Sequence, residues 1–153
     1  MAATNTVRIM ENGPRNTILW IEGNNGATGA SPGAGGADLA YTTILLPAGV
    51  GYVNRATKEH PTGFRIDKIE WDIQTEQQMR VDLWWDASPS ADAQIAYSCI
   101  GRANKCFKDF GGLYPPAGIT GKTGGLGLST TGSPTTYGAW TIVLYLVNLL
   151  NPA

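Results

Sequence analysis

The sequence predicts an all-β chain, an antiparallel β-sandwich that a jelly-roll winding would satisfy. Three observations lead there. Apolar residues alternate with polar ones at a period of two, and no window of about 11 residues holds a helical period. Glycine is abundant, 20 of 153 residues, and recurs with proline and asparagine at short intervals, as turns between short strands require. Charged residues make up only 15 % of the chain against roughly 25 % in an average soluble domain, so the usual helix formers Glu and Lys are scarce. The length suits one domain, 1–153, which on folding would bury roughly 68–70 % of its extended surface.

The elements follow in chain order. Residues 1–7 are polar and are expected to form an N-terminal arm leading into a first strand at 6–10. Asn12-Gly13-Pro14 is turn chemistry, because Gly accepts positive φ and Pro fixes its own. The next strand spans 16–22, and within it 17–21 (TILWI) is apolar on both faces. Residues 23–36 (GNNGATGASPGAGG) hold too few apolar groups to offset the entropy of ordering, so a flexible surface loop is expected. A short strand at 40–46 ends at Pro47 and Gly49, and a polar stretch at 53–63 carries the chain's only histidine, His60.

In 64–74, Phe64 and Ile66 share one phase while Ile69, Trp71 and Ile73 share the other. That slip predicts a β-bulge at Asp67–Lys68 or a bend where the strand passes between sheets. Met79, Val81, Leu83 and Trp85 form the clearest alternation, which leaves Trp84 on the polar side with Arg80, Asp82 and Asp86. Strands at 94–100 and 105–110 around a turn at 101–104 would set Cys99 opposite Cys106 across a hairpin, as reduced thiols or as a cross-strand disulfide. A weak strand at 124–129 precedes the last one, 140–150 (WTIVLYLVNLL). There Trp140, Ile142, Leu144 and Leu146 occupy one side, and Val143, Tyr145 and Val147 the other. A second sheet covers one side. The other calls for a flanking segment or another protein chain, so self-association as a dimer or trimer is expected.

Chemistry is sparse. A net charge of −1 offers no long-range attraction to nucleic acid or to an anionic membrane, and neither is expected as a partner. The start lacks the apolar core of a signal peptide, and the terminal apolar run is shorter than the roughly 20 residues of a spanning helix. Synthesis in a cytoplasm is expected, with the chain either staying there or leaving inside a larger particle. In GITGKT (118–123), Pro116 stands where a phosphate loop needs a glycine N–H, and no helix pattern follows. One histidine excludes a His-based metal cluster, and His60 beside Glu59 and Pro61 reads as a solvated loop residue. Asp67, Glu70 and Asp72 read as a solvated strand face, and Asp82, Asp86 and Asp92 match no calcium-loop spacing. No catalytic residue, cofactor or metal site is expected.

Three segments together carry a resemblance: NTVRIMENGPRNTILWIEG, then RIDKIEW…RVDLWWDAS…GRANKCFKDFGGLYPPAG, then GAWTIVLYLV. In this order they resemble small virion structural proteins encoded among the head genes of tailed bacteriophages, in particular capsid decoration (cement) proteins. The most specific pieces are Asn12-Gly13-Pro14-Arg15-Asn16 and Phe110-Gly111-Gly112-Leu113. The resemblance implies a location on the capsid surface of a virion and the major capsid protein as partner. A neck, tail or fibre-attachment component is the alternative within the virion. Protein interfaces favour Trp, Tyr and Arg, which marks Arg8, Arg15, Trp20, Trp84, Tyr145 and Val147 as candidate partner-binding residues. A carbohydrate-binding sandwich is the competing class. It would show two or more aromatics on one exposed face beside carboxamides, whereas most Trp residues here fall in core phase.

Overall fold

The computed structural model describes residues 3–27, 36–75, 79–132 and 138–150. Among them run nine strands: β1 (Thr4–Asn12), β2 (Asn16–Asn24), β3 (Thr42–Leu45), β4 (Gly63–Thr75), β5 (Arg80–Ala87), β6 (Gln94–Cys99), β7 (Arg102–Cys106), β8 (Lys122–Thr131) and β9 (Gly138–Leu149). They form two antiparallel sheets, ordered β1-β2-β9-β4-β7 and β3-β8-β5-β6. The pairs β2·β9, β3·β8, β4·β7 and β5·β6 are those of one long hairpin wound so that successive pairs alternate between sheets. That is the jelly-roll connectivity, with β1 added at one edge.

The core lies between the sheets. Leu19 and Ile21 of β2, Ile142 and Leu144 of β9, and Phe64, Ile66 and Ile69 of β4 meet Val81 and Leu83 of β5 and Leu126 and Leu128 of β8, all fully buried. Ile66 and Ile69 are three positions apart yet both face inward. A register shift between Ile66 and Lys68 makes this geometrically available, at the place where the apolar phase slips in the sequence.

Tertiary contacts correct several local expectations. Residues 4–7 belong to β1, paired with β2, and Asn5 Oδ1 accepts the Trp140 indole N–H at 2.9 Å, so no free arm begins before residue 4 among the described residues. A Cβ at Gly23 would lie 2.4 Å from both the Trp140 ring and the Thr4 carbonyl. That glycine is there for close approach within a strand. Asn25 is fully buried, with its N–H donating to Gly138 O at 2.9 Å, so the expected loop starts later than residue 23. The rest of that loop, 28–35, lies outside the described residues, as do residues 1 and 2 of the expected arm.

Cys99 and Cys106 do not face each other across a hairpin. β6 pairs with β5 in one sheet and β7 with β4 in the other, so the turn between them crosses the sandwich. Cys99 ends in the core and Cys106 on the surface, both as free thiols. The strand expected to reach residue 110 stops at Cys106, and Lys108–Phe110 is a single 3-10 turn. In the GITGKT stretch a strand, not a helix, opens at Lys122.

Candidate interaction face

The outer face of the five-stranded sheet gathers most of the residues that composition marks as interface-like. Strand register places Arg8, Trp20, Val143, Glu70 and Asn104 in one row across it. Ile18, Tyr145, Lys68 and Cys106 form the next row. Glu22, Thr141, Asp72 and Arg102 flank the first row, and Asn16, Val147 and Arg65 flank the second. The centre is therefore apolar and aromatic, and the margins are charged. Two shallow depressions cross this surface. One of about 550 Å³ runs along Trp20, Glu70, Asp72, Asn104 and Val143. The other, about 310 Å³, runs along Ile18, Lys68, Tyr145 and Val147.

This arrangement explains how β9 can be apolar on both sides. Its second face is half-buried, because β9 lies centrally, between β2 and β4, and the Lys68 stem of β4 folds over it. The Arg8 guanidinium stands 5.7 Å from the centre of the Trp20 ring, and the Lys68 ammonium 5.5 Å from that of Tyr145. Lys68 also pairs with Glu70 at 3.0 Å, and that hydrogen bond and charge hold its ammonium above its ordinary pKa. Cation–π contacts at exposed sites are weak, so a docking partner displaces these covers at little cost.

The edge of the same face carries a feature that composition did not single out. After β7, Phe107 N–H donates to Asp67 O at 2.7 Å, and Ile66 and Leu113 exchange backbone hydrogen bonds of 2.9 and 2.8 Å. The intervening turn is closed by Gly111 and Gly112, both at positive φ (82° and 92°), and holds Phe110 outward at 82 % exposure. Beneath Gly112 runs the Arg65 stem, whose guanidinium pairs with Asp67 through bonds of 2.7 and 3.1 Å and stacks on Tyr114. The sequence signal is the Gly-Gly step directly after an aromatic residue.

Of the six candidate residues, Arg8, Trp20, Tyr145 and Val147 come together on this face. Arg15 sits exposed in the β1–β2 turn, where its carbonyl accepts the Asn148 N–H at 2.8 Å. Trp84 is elsewhere. It lies on the four-stranded sheet, half-buried, with its indole N–H donating to Ser129 Oγ at 2.9 Å and its ring edge-on to Tyr41. Its place on β5, in the other sheet, removes it from the face that holds the other aromatics.

His60 is not a solvated loop residue. Its Nδ1 is 2.9 Å from Val50 O and its ring packs on Tyr52, so it ties the 47–60 loop together. Among the described residues no group of three His, Cys, Asp or Glu side chains is placed to hold a metal ion.

No family model matches the chain, and no curated protein matches it. Among solved structures it is similar to a family 11 carbohydrate-binding module from Clostridium thermocellum in complex with a β-1,3-1,4-mixed-linked tetrasaccharide, at 10 % identity and a TM-score of 0.32, covering 99 % of this chain and 87 % of that one. It is similar at 10 % identity and a TM-score of 0.31 to the family 11 module of the cellulosomal cellulase Lic26A-Cel5E of the same organism, covering 99 % and 86 %. Likeness at that level assigns neither a ligand nor a site to this chain.

Proposed function

We propose that this chain is a non-catalytic structural protein of a tailed-phage virion, a decoration protein that docks on the major capsid protein through the outer face of its five-stranded sheet. The observation that carries the reading is that face itself, with Ile18, Trp20, Val143, Tyr145 and Val147 at the centre and Arg8, Glu22, Glu70 and Arg102 around them. An apolar, aromatic centre inside a charged rim is the composition of a protein–protein interface. The near-full-length resemblance of the sequence to head-gene products supports the same assignment. Many copies on a lattice add modest contacts, since each oligomer engages several sites at high effective concentration.

The test is cosedimentation of the purified chain with undecorated heads of the phage that encodes it. Trp20→Ser together with Tyr145→Ser should weaken binding at least tenfold, as expected for buried aromatic anchors. Failure of the wild-type chain to bind heads overturns the capsid assignment, and density for it in the neck or tail of imaged virions reassigns it there.

A second reading has one observation in its favour. Trp20 and Tyr145 share a face with the carboxamides of Asn16 and Asn104, which is the constellation a sugar-binding surface needs. A sugar, like a protein partner, would first displace Arg8 and Lys68 from the ring faces on which it would stack. Quenching of indole fluorescence by soluble β-glucans, abolished in Trp20→Ser, would favour this reading over the first.

A further inference from the structure

A separate pocket lies where the start of β4 and the end of β9 meet β5 and β8. Its volume is about 200 Å³, and Trp85, Pro115, Ile119 and Leu149 give it apolar walls. Asp86 also lines it, although that residue is only 4 % exposed. A register shift between Trp85 and Ala87 in the β5–β8 pairing falls at Asp86, and such bulges re-aim side chains.

Three hydroxyls serve the Asp86 carboxylate. Tyr41 and Thr43 both donate to Oδ1, the latter at 3.1 Å, while Thr123 donates to Oδ2 at 2.6 Å. A carboxylate offers about four acceptor positions, so one on Oδ2 is left. Burial, and then the Asp86 carboxylate, hold the Tyr41 hydroxyl above its ordinary pKa, so it remains a donor. Yet among the described residues no Lys or Arg pairs with Asp86; the ion pairs are Arg65–Asp67, Lys68–Glu70 and Arg80–Asp82. Lys122 stands exposed at the pocket rim. A buried carboxylate with hydroxyl partners but no counter-charge, opening on an apolar pocket, is a receptor for a small cation that carries its own apolar stem.

We propose that this pocket binds a primary alkylammonium group, with the ammonium donating to Asp86 Oδ2 and the carbon stem among Pro115, Ile119, Trp85 and Leu149. The volume admits a short unbranched stem and excludes a drug-sized ligand. Two sources present this chemistry: a free small amine, and a lysine side chain of another protein. This site is independent of the interaction face, and its failure would leave that reading untouched.

The experiment is titration of the ¹⁵N-labelled full chain at pH 7 and constant ionic strength with n-butylamine, with n-butanol and with N-acetyl-lysine amide. Saturable shifts at the amides of Gly124 and Gly125 and at the Trp85 indole are the readout. Butylammonium should bind at least tenfold more tightly than butanol, Asp86→Asn should bring the two level, and Lys122→Ala should leave or improve the affinity. If N-acetyl-lysine amide binds as well as butylamine, the source is a protein lysine; if only butylamine binds, it is a free amine. Equal binding of butanol and butylamine to the wild-type chain overturns the proposal, as does the absence of shifts at 50 mM amine. That comparison stands even if Asp86→Asn does not fold.

Discussion

Gly111 and Gly112 are adjacent, both left-handed, and differ in one respect that can be measured. A Cβ at Gly111 would meet nothing within 4 Å, whereas one at Gly112 would lie 2.3 Å from Arg65 Cδ and 2.6 Å from its Cγ. Gly111→Ala should therefore cost only the left-handed conformation, about 1–2 kcal/mol. Gly112→Ala adds displacement of the Arg65 stem. That stem cannot swing aside freely, because its far end is held in two bonds to Asp67, whose side chain is 14 % exposed. Losing a charge-assisted pair of this kind costs about 1.5–3 kcal/mol, so Gly112→Ala should total about 2.5–5 kcal/mol. Urea unfolding of five proteins decides it: wild type, each Gly→Ala variant, Arg65→Ala, and Gly112→Ala combined with Arg65→Ala. In the Arg65→Ala background the Gly112→Ala increment should fall to the Gly111→Ala value, a coupling of about 1.5–3 kcal/mol. Equal costs for the two glycines, or no relief on removing Arg65, would refute the reasoning that the Arg65–Asp67 pair forms the floor of the Phe110 turn.

Two further outcomes are expected. A thiol reagent at pH 8 should titrate one cysteine in the native chain, Cys106, and two in urea, because Cys99 is fully buried and its thiol is pushed up to about 12, chiefly by burial and then by Asp82. Since the folded-state value lies above the ordinary 9.0, the stability held by the neutral thiol is complete below pH 9 and declines as pH rises from there toward 12, which unfolding midpoints across that range would register. Sedimentation equilibrium at high concentration should give a multiple of 16.2 kDa. A wild-type monomer at millimolar concentration would contradict the expectation of self-association.

The candidate face was legible only in part. Trp20, Tyr145 and Val147 announce themselves because they occupy the second phase of strands already apolar in the first. Arg8 joins them only through the β1–β2 register. Trp84 carries the same signal, an aromatic on a polar side, and is covered instead by Tyr41, which no pattern around residue 84 reveals. The Asp86 pocket was illegible for a similar reason. Its three hydroxyl donors stand 45, 43 and 37 positions away in the chain.

What the sequence by itself determined is local. Alternation set where most strands run and which side of each faces inward, the phase slip located the bulge in β4, and glycine with proline placed the turns. Only the tertiary structure decided which strands pair. A run such as Gln94–Cys99 followed by Arg102–Cys106 has the pattern of a hairpin, but its two halves join different sheets, so Cys99 goes to the core and Cys106 to the surface. Likewise, the second apolar side of β9 is half-covered from within, by neighbours more than a hundred positions earlier in β2 and by the Lys68 stem of β4, because strand order places β9 at the centre of its sheet. Periodicity records which face is apolar. The long-range pairing that covers it is chosen by the whole chain at once, among strands whose local patterns are interchangeable.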